Sequence, residues 1–180
     1  IERGADNTGN LYNPQNLLYC KQHFGNSMNI ITGDGGFDFS VDFNNQENNA
    51  FRLIFTQVAY ALTMQKYNGT FILKIFDLFL KSTNDIIFLL SCFYKEILIY
   101  KPHTSRHANS EKYIVCKGFI GGNADEVYPY LKTAFQSMLD SKKNVFKFLN
   151  IPLTLLFTTK IEEYNAIFGQ QQIENIYYTP

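Results

Sequence analysis

An α/β fold, with a mostly parallel sheet and helices on its faces, is what this sequence predicts, on three observations. Short runs rich in β-branched and aromatic residues alternate with longer segments whose apolar residues recur every three or four positions, in the order strand, helix, strand, helix, strand. The first such run begins the stretch Ile30–Phe39, IITGDGGFDF, and stops abruptly on Asp34 followed by two glycines. A buried parallel strand reads this way where it delivers one charged side chain to a ligand crevice. The last two strand patterns are joined without a helix, which predicts an antiparallel pair at the sheet's edge.

The elements follow in order. The chain starts with Ile1 rather than Met and runs through a polar loop, GADNTGNLYNP, so it is expected to be the middle of something longer. Pro14 opens a helix with Asn13 as its cap, and Gln15–Phe24 continues it to Gly25. Met28–Thr32 is the first strand. From Asn45 the residues Phe51, Ile54, Phe55, Val58 and Leu62 mark a helix that Tyr67-Asn68-Gly69 ends. Thr70–Phe76, TFILKIF, is a second buried strand. Ser82 or Thr83 caps a helix through Phe93, and Glu96–Tyr100 is a third strand. A loop from Pro102 to Ser110 leads to the fourth, Glu111–Phe119. An antiparallel last strand starts at the rim where the parallel strands end, which would bring Glu111 to the side holding Asp34 and Lys74. Beyond Gly121-Gly122, Ala124–Lys143 and Leu153–Ile176 are helical in pattern, with Pro152 between them. Residues 1–120 therefore read as one domain and 121–180 as a helical extension that packs on it or on a partner.

Composition narrows the function classes. Only 18% of the 180 residues are charged, against roughly 25% in an average soluble domain, so much of the surface is expected to be covered. No apolar run reaches the ~18 residues of a membrane span, and no signal-peptide pattern is visible. Cys20, Cys92 and Cys116 lack metal-ligand spacing and read as reduced core thiols in an intracellular protein. His103 and His107 stand four apart with no third ligand nearby, a poor metal pair. The net charge is zero, yet between Lys95 and Lys117 five Lys/Arg face two acids. Such a stripe is either a phosphate contact or ordinary solvated lysine.

Individual residues carry two readings each. Asp34-Gly35-Gly36 is an ordinary turn signal, or a carboxylate with bare backbone beside it for a ligand to approach. Lys74 is the sole charge in its strand, costly to bury unless it is paired or reaches a crevice. Lys101 and Arg106 suit phosphate oxygens or local acids; Ser105 and Asn109 contact phosphate or ribose, or cap the loop.

The stretches GDGGFDF, NNQEN, FILKIFDLF and KPHTSRHANSEKYIVCKGF resemble the FtsJ-like ribose 2′-O-methyltransferases, and among these the cap-specific mRNA (nucleoside-2′-O-)-methyltransferases, over roughly Gly4–Phe119. The resemblance implies a Rossmann-like sheet, S-adenosyl-L-methionine as cofactor, and methylation of a ribose 2′-hydroxyl, foremost on the first transcribed nucleotide of capped mRNA. A ribosomal- or transfer-RNA methyltransferase is the runner-up, and a non-catalytic scaffold that kept the fold a third reading. By resemblance Asp34, Lys74 and Glu111 are the aspartate, second lysine and glutamate of the family's Lys-Asp-Lys-Glu tetrad. Asn10, Leu11, Asp34 and Gly35 would line the cofactor, and Lys101, Ser105, Arg106 and Asn109 would meet RNA. His107 stands where close relatives often carry proline.

The family's glycine-rich cofactor loop and first tetrad lysine have no counterpart in these residues. The chain is therefore expected to be the C-terminal half of a methyltransferase domain, inactive alone, with the upstream half on another chain or on a segment not represented. The Asp34 strand would then be an open edge. Capped RNA is the expected partner. Nucleus or cytoplasm is the expected location; heavy use of Asn, Ile, Lys, Phe and Tyr suggests an AT-rich genome, with a viral factory among the settings that fit.

Overall fold

Proline has no backbone N–H to donate, and the first turn of a helix is where that costs nothing. In the computed structural model, which describes residues 2–36, 45–106, 108–141 and 144–178, Pro14 opens α1 (Pro14–Phe24), and the Asn13 side chain accepts from Gln15 N. The order continues β1 (Met28–Gly33), α2 (Gln46–Met64), β2 (Gln65–Ile75), α3 (Lys81–Phe93), β3 (Tyr94–Tyr100), β4 (Lys112–Phe119), α4 (Ala124–Asp140) and α5 (Leu155–Tyr178).

The sheet order is β1-β2-β4-β3. β1 and β2 pair in parallel, and β4 is antiparallel to both β2 and β3, so three strands share a direction and β4 opposes them. The expected antiparallel pair is present, with β4 as its inner member and β3 outermost. Among the described residues β1 has one neighbour, and Ile30 on it is 68% exposed.

Side chains alternate across the strands with the period of two that a pleated sheet requires. Phe71, Leu73, Ile75, Ile114 and Cys116 are fully buried, whereas their neighbours Ile72, Lys74, Tyr113 and Val115 are half-buried. One face thus carries the core and the other is partly open. Over the closed face lies α2, buried almost all round from Ile54 to Thr63, as a helix must be when it is packed between a sheet and further helices. Leu131, Phe135 and Met138 of α4 join the same core, and Arg52 of α2 donates to the carbonyls of Met138 and Ser141 at the end of α4. α5 crosses the rim of the sheet. It is held by Tyr164 donating to the Ile99 carbonyl, Asn165 to Leu78 O (3.0 Å) and Gln172 to Ala108 O (3.1 Å).

Three expectations change. Tyr67-Asn68-Gly69 does not end α2; the helix stops at Met64 and these residues form a bulge inside β2. Met28 pairs with Gln65 and Ile30 with Thr70, two steps on β1 against five on β2, and Asn68 takes the left-handed φ of 63°. The buried Gln65 side chain donates to the Met28 and Asn29 carbonyls beside that irregularity, at 2.8 and 3.2 Å. Ser82 and Thr83 do not cap α3 but lie inside it; Glu47 of α2 accepts from Phe79 N (3.1 Å) and Leu80 N (2.8 Å) just before its first turn. Of the three thiols Cys116 is a core group, its pKa pushed up to about 12 by burial, and Cys20 is half-buried against the core, while Cys92 is exposed. Of IITGDGGFDF, the residues from Phe37 on lie outside the described residues, as does His107.

Candidate functional site

β1 and β2 run in parallel and end together, so the residues at their C-terminal ends share one rim. Asp34 follows β1 directly and Lys74 is the penultimate residue of β2. Lys74 Nζ lies 3.0 Å from Asp34 Oδ1; the lysine side chain is 15% exposed and the aspartate 67%. Because β4 runs the other way, its beginning reaches the same rim, with Tyr113 opposite Lys74. The predicted convergence of Asp34, Lys74 and Glu111 is what the topology produces.

The contacts between the three differ from a direct chain. Glu111 makes no ion pair with Lys74 among the described residues. Its Oε1 instead accepts from the Tyr113 hydroxyl (3.4 Å) and from Ser105 Oγ (3.4 Å). The same Tyr113 hydroxyl is 3.3 Å from Asp34 Oδ1. Burial first, then the charges of Glu111 and Asp34, push the Tyr113 phenol up to about 12.

The turn after β1 is held from below. Gln57 of α2 accepts from Gly35 N at 2.9 Å, and a Cβ on Gly35 would meet Leu53 Cδ2 at 2.9 Å and Gln57 Oε1 at 3.0 Å. A Cβ on Gly36 would lie 3.3 Å from Lys74 Nζ. Glycine at both positions thus lets the turn sit against helix and lysine together.

The cofactor-side expectation falls on an organised loop. Asn10 Oδ1 already accepts from Tyr12 N (3.0 Å), and Leu11 is part exposed beside it. The acid of this loop is Asp6, which sequence reasoning passed over. Bonds from Thr8 N first, then the Thr8 hydroxyl, Asn16 and Asn13, hold its pKa far below the ordinary carboxylate range.

Among the residues assigned to RNA, Lys101 is engaged within the loop. Its ammonium donates to Asn109 O, Asn109 Oδ1 and Glu111 O, each at 2.8 Å, while burial and the nearby Lys112 charge lower its pKa. Ser105 Oγ is 3.4 Å from Asn109 Oδ1. Arg106 is exposed, and among the described residues its guanidinium has no hydrogen bond or ion pair. A cleft of about 450 Å³ lies between this loop and α5, lined by Tyr100, Lys101, His103, Lys112 and Phe168 among others. Neither Asp34 nor Lys74 lines it.

Tyr113 and Gln57 were missed because an aromatic on a strand and a polar residue on an apolar helix look like packing and surface. The alternation of β4 that puts Tyr113 on the face of Lys74 was the available signal.

The FtsJ-like methyltransferase family matches residues 5–119. Curated relatives similar to this chain include the cap-specific mRNA (nucleoside-2'-O-)-methyltransferase 1 of Trypanosoma brucei brucei, 29% identical over 97% of this chain and 48% of the relative. Proteins of that name from Caenorhabditis elegans and Bos taurus are 32% and 38% identical over 96% and 72% of this chain, and 19% and 16% of their own lengths. The chain thus spans about half the length of the first relative and a fifth or less of the others. Among solved structures, a Plasmodium falciparum protein described as a ribosomal RNA methyltransferase aligns with a TM-score of 0.48, at 23% identity, over 68% of this chain and 63% of its own.

Proposed function

Because this chain belongs to the FtsJ-like methyltransferase family, we propose that it is the tetrad-bearing part of an enzyme that methylates a ribose 2′-hydroxyl in RNA, foremost on the first transcribed nucleotide of capped mRNA. The observation that carries this reading is the Lys74–Asp34 pair: a lysine at a crevice rim with one partner among the described residues, and donors left for a substrate oxygen.

The residues fit S-adenosylmethionine. The Asp34 carboxylate at the strand end is 67% exposed and can face a cationic ligand, and Asn10, Leu11, Asp34 and Gly35 would hold the group. When bound, it supplies a methyl group on a positively charged sulfur. Lys74 would orient the 2′-hydroxyl, receive its proton when unprotonated, and as an ammonium be matched by Asp34. Glu111 would steady this pair through Tyr113. Arg106, with Ser105 and Asn109, would meet the RNA backbone, while Lys101 holds the loop that carries them. With one neighbour of β1 among the described residues and a half-buried face of the sheet, there is room for an upstream half of the fold, and the greater lengths of the relatives support such a segment.

The test is transfer of a labelled methyl group from S-adenosylmethionine to capped, uncapped and ribosomal RNA, followed by digestion to nucleosides. The intact protein is expected to label the first transcribed nucleotide at its 2′-oxygen, and this chain alone to label nothing. Labelling of uncapped RNA at equal rate would replace the cap by another RNA substrate. No transfer and no cofactor binding would leave a scaffold.

A further inference from the structure

Tyr113 stands opposite Lys74 in the β2–β4 register, on the half-buried face of the sheet. Its hydroxyl is within reach of two carboxylates, Asp34 Oδ1 at 3.3 Å and Glu111 Oε1 at 3.4 Å. Asp34 Oδ1 is also the oxygen that lies 3.0 Å from Lys74 Nζ. A phenol has one proton to donate, so it serves one carboxylate at a time. We propose that Tyr113 is a positioning residue: by donating to Asp34 it weakens that carboxylate's hold on the lysine proton, and by turning to Glu111 it restores it.

The physical argument is electrostatic. A hydrogen bond donated to a carboxylate spreads its charge, and a carboxylate so stabilised attracts a neighbouring ammonium less. Tyr113 stays a phenol through the neutral range, since burial and both carboxylates oppose its ionisation. Among the described residues, the other groups around the cluster are few. Ser105 Oγ, on the loop before β4, donates to Glu111; the Lys101 ammonium meets the Glu111 carbonyl; from α2 comes the neutral Gln57, through Gly35 N. None of them bridges Asp34 and Glu111. Glu111 thus acts on the pair through a movable proton.

The consequence for catalysis rests on the methyl-transfer reading above, but the direct measurement does not. Tyr113→Phe keeps the ring and removes the hydroxyl. In the intact protein, competitive acetylation with acetic anhydride near pH 8, read by mass spectrometry, is expected to label Lys74 about two- to fivefold less in the variant, relative to exposed Lys66. The rate of methyl transfer at neutral pH should fall by about the same two- to fivefold, with the acid limb of the pH profile moved to higher pH and the KM for RNA unchanged. Unchanged acetylation of Lys74 overturns the proposal, and so does a rate loss equal at every pH. If the wild-type protein transfers no methyl group, the enzymatic reading fails, while the acetylation ratio still decides whether Tyr113 acts on Lys74.

Discussion

Two lysine–aspartate pairs lie within one register step of each other, and they have opposite characters. Lys74 faces the partly open side of the sheet, pairs with Asp34, and among the described residues has no second partner. Lys112, opposite Ile75, points into the core and is 5% exposed. Its ammonium meets Ser110 O at 3.0 Å, Asp77 Oδ1 at 3.3 Å and Phe76 O at 3.4 Å, and lies 5.8 Å from the Phe168 ring centroid. Burial lowers its pKa against the pull of Asp77. The difference teaches that burial of a lysine does not mark a reactive site. What separates the two is the donors engaged among the described residues: Lys112 is a tie between β2, the Ser110 loop end and α5, whereas Lys74 makes one ion pair there, as its proposed role would need.

The sharpest way to break this contrast is Lys74→Ala. Methyl transfer by the intact protein should drop by at least about a hundredfold. RNA affinity, by filter binding, should stay within a few fold, and the urea midpoint should hardly move; retained activity would take Lys74 out of the mechanism. Lys112→Ala should do the reverse. Losing the buried cation while Asp77 keeps some solvent should lower unfolding free energy by about 2 kcal/mol, measured by urea titration. Arg106→Ala extends the contrast to a cation with no partner in the described chain: RNA affinity should weaken several-fold, and the slope of log affinity against log salt should fall by about 1.

The smallest effect concerns Glu47, whose charge also reaches Lys112. Burial raises its pKa above the ordinary value despite the bonds from Leu80 and Phe79. The folded protein therefore binds this proton more tightly than the unfolded chain does. The stability it contributes is full below the unfolded pKa and is lost as pH rises through the folded one. Glu47→Gln should flatten that decline above about pH 4.5 in thermal melts. An unaltered profile would assign the pH dependence to another group.

Much of the site could be read before the structure. Asp34 follows a parallel strand, Lys74 lies one residue from the end of its neighbour, and a reversed strand must begin where they end, so topology alone gathers them with Glu111. Asn13 and Pro14 announced α1 because a cap and a missing donor are local chemistry. What stayed hidden depends on distant residues. Glu47 takes the place of a cap for α3, thirty-odd residues away. Lys101 directs its donors to its own loop, which no spacing reveals. Tyr67-Asn68-Gly69 reads as the end of a helix, but a left-handed residue bulges a strand equally well, and only pairing with β1 decides. β4's place between β2 and β3, likewise, follows from sheet pairing rather than from its own residues.

That bulge bears on how the protein tolerates change over evolutionary time. In a regular ladder, one residue inserted before Thr70 would turn every later side chain to the opposite face, sending Lys74 into the core and Leu73 to the crevice. Here the surplus length is already thrown out of the ladder around Asn68, with Gln65 bonding the carbonyls left beside it. Gains and losses of sequence in that span can alter the size of the protrusion without propagating along the strand. The bulge works as an expansion joint, and the heading of Lys74 is insulated from accidents of length upstream of it.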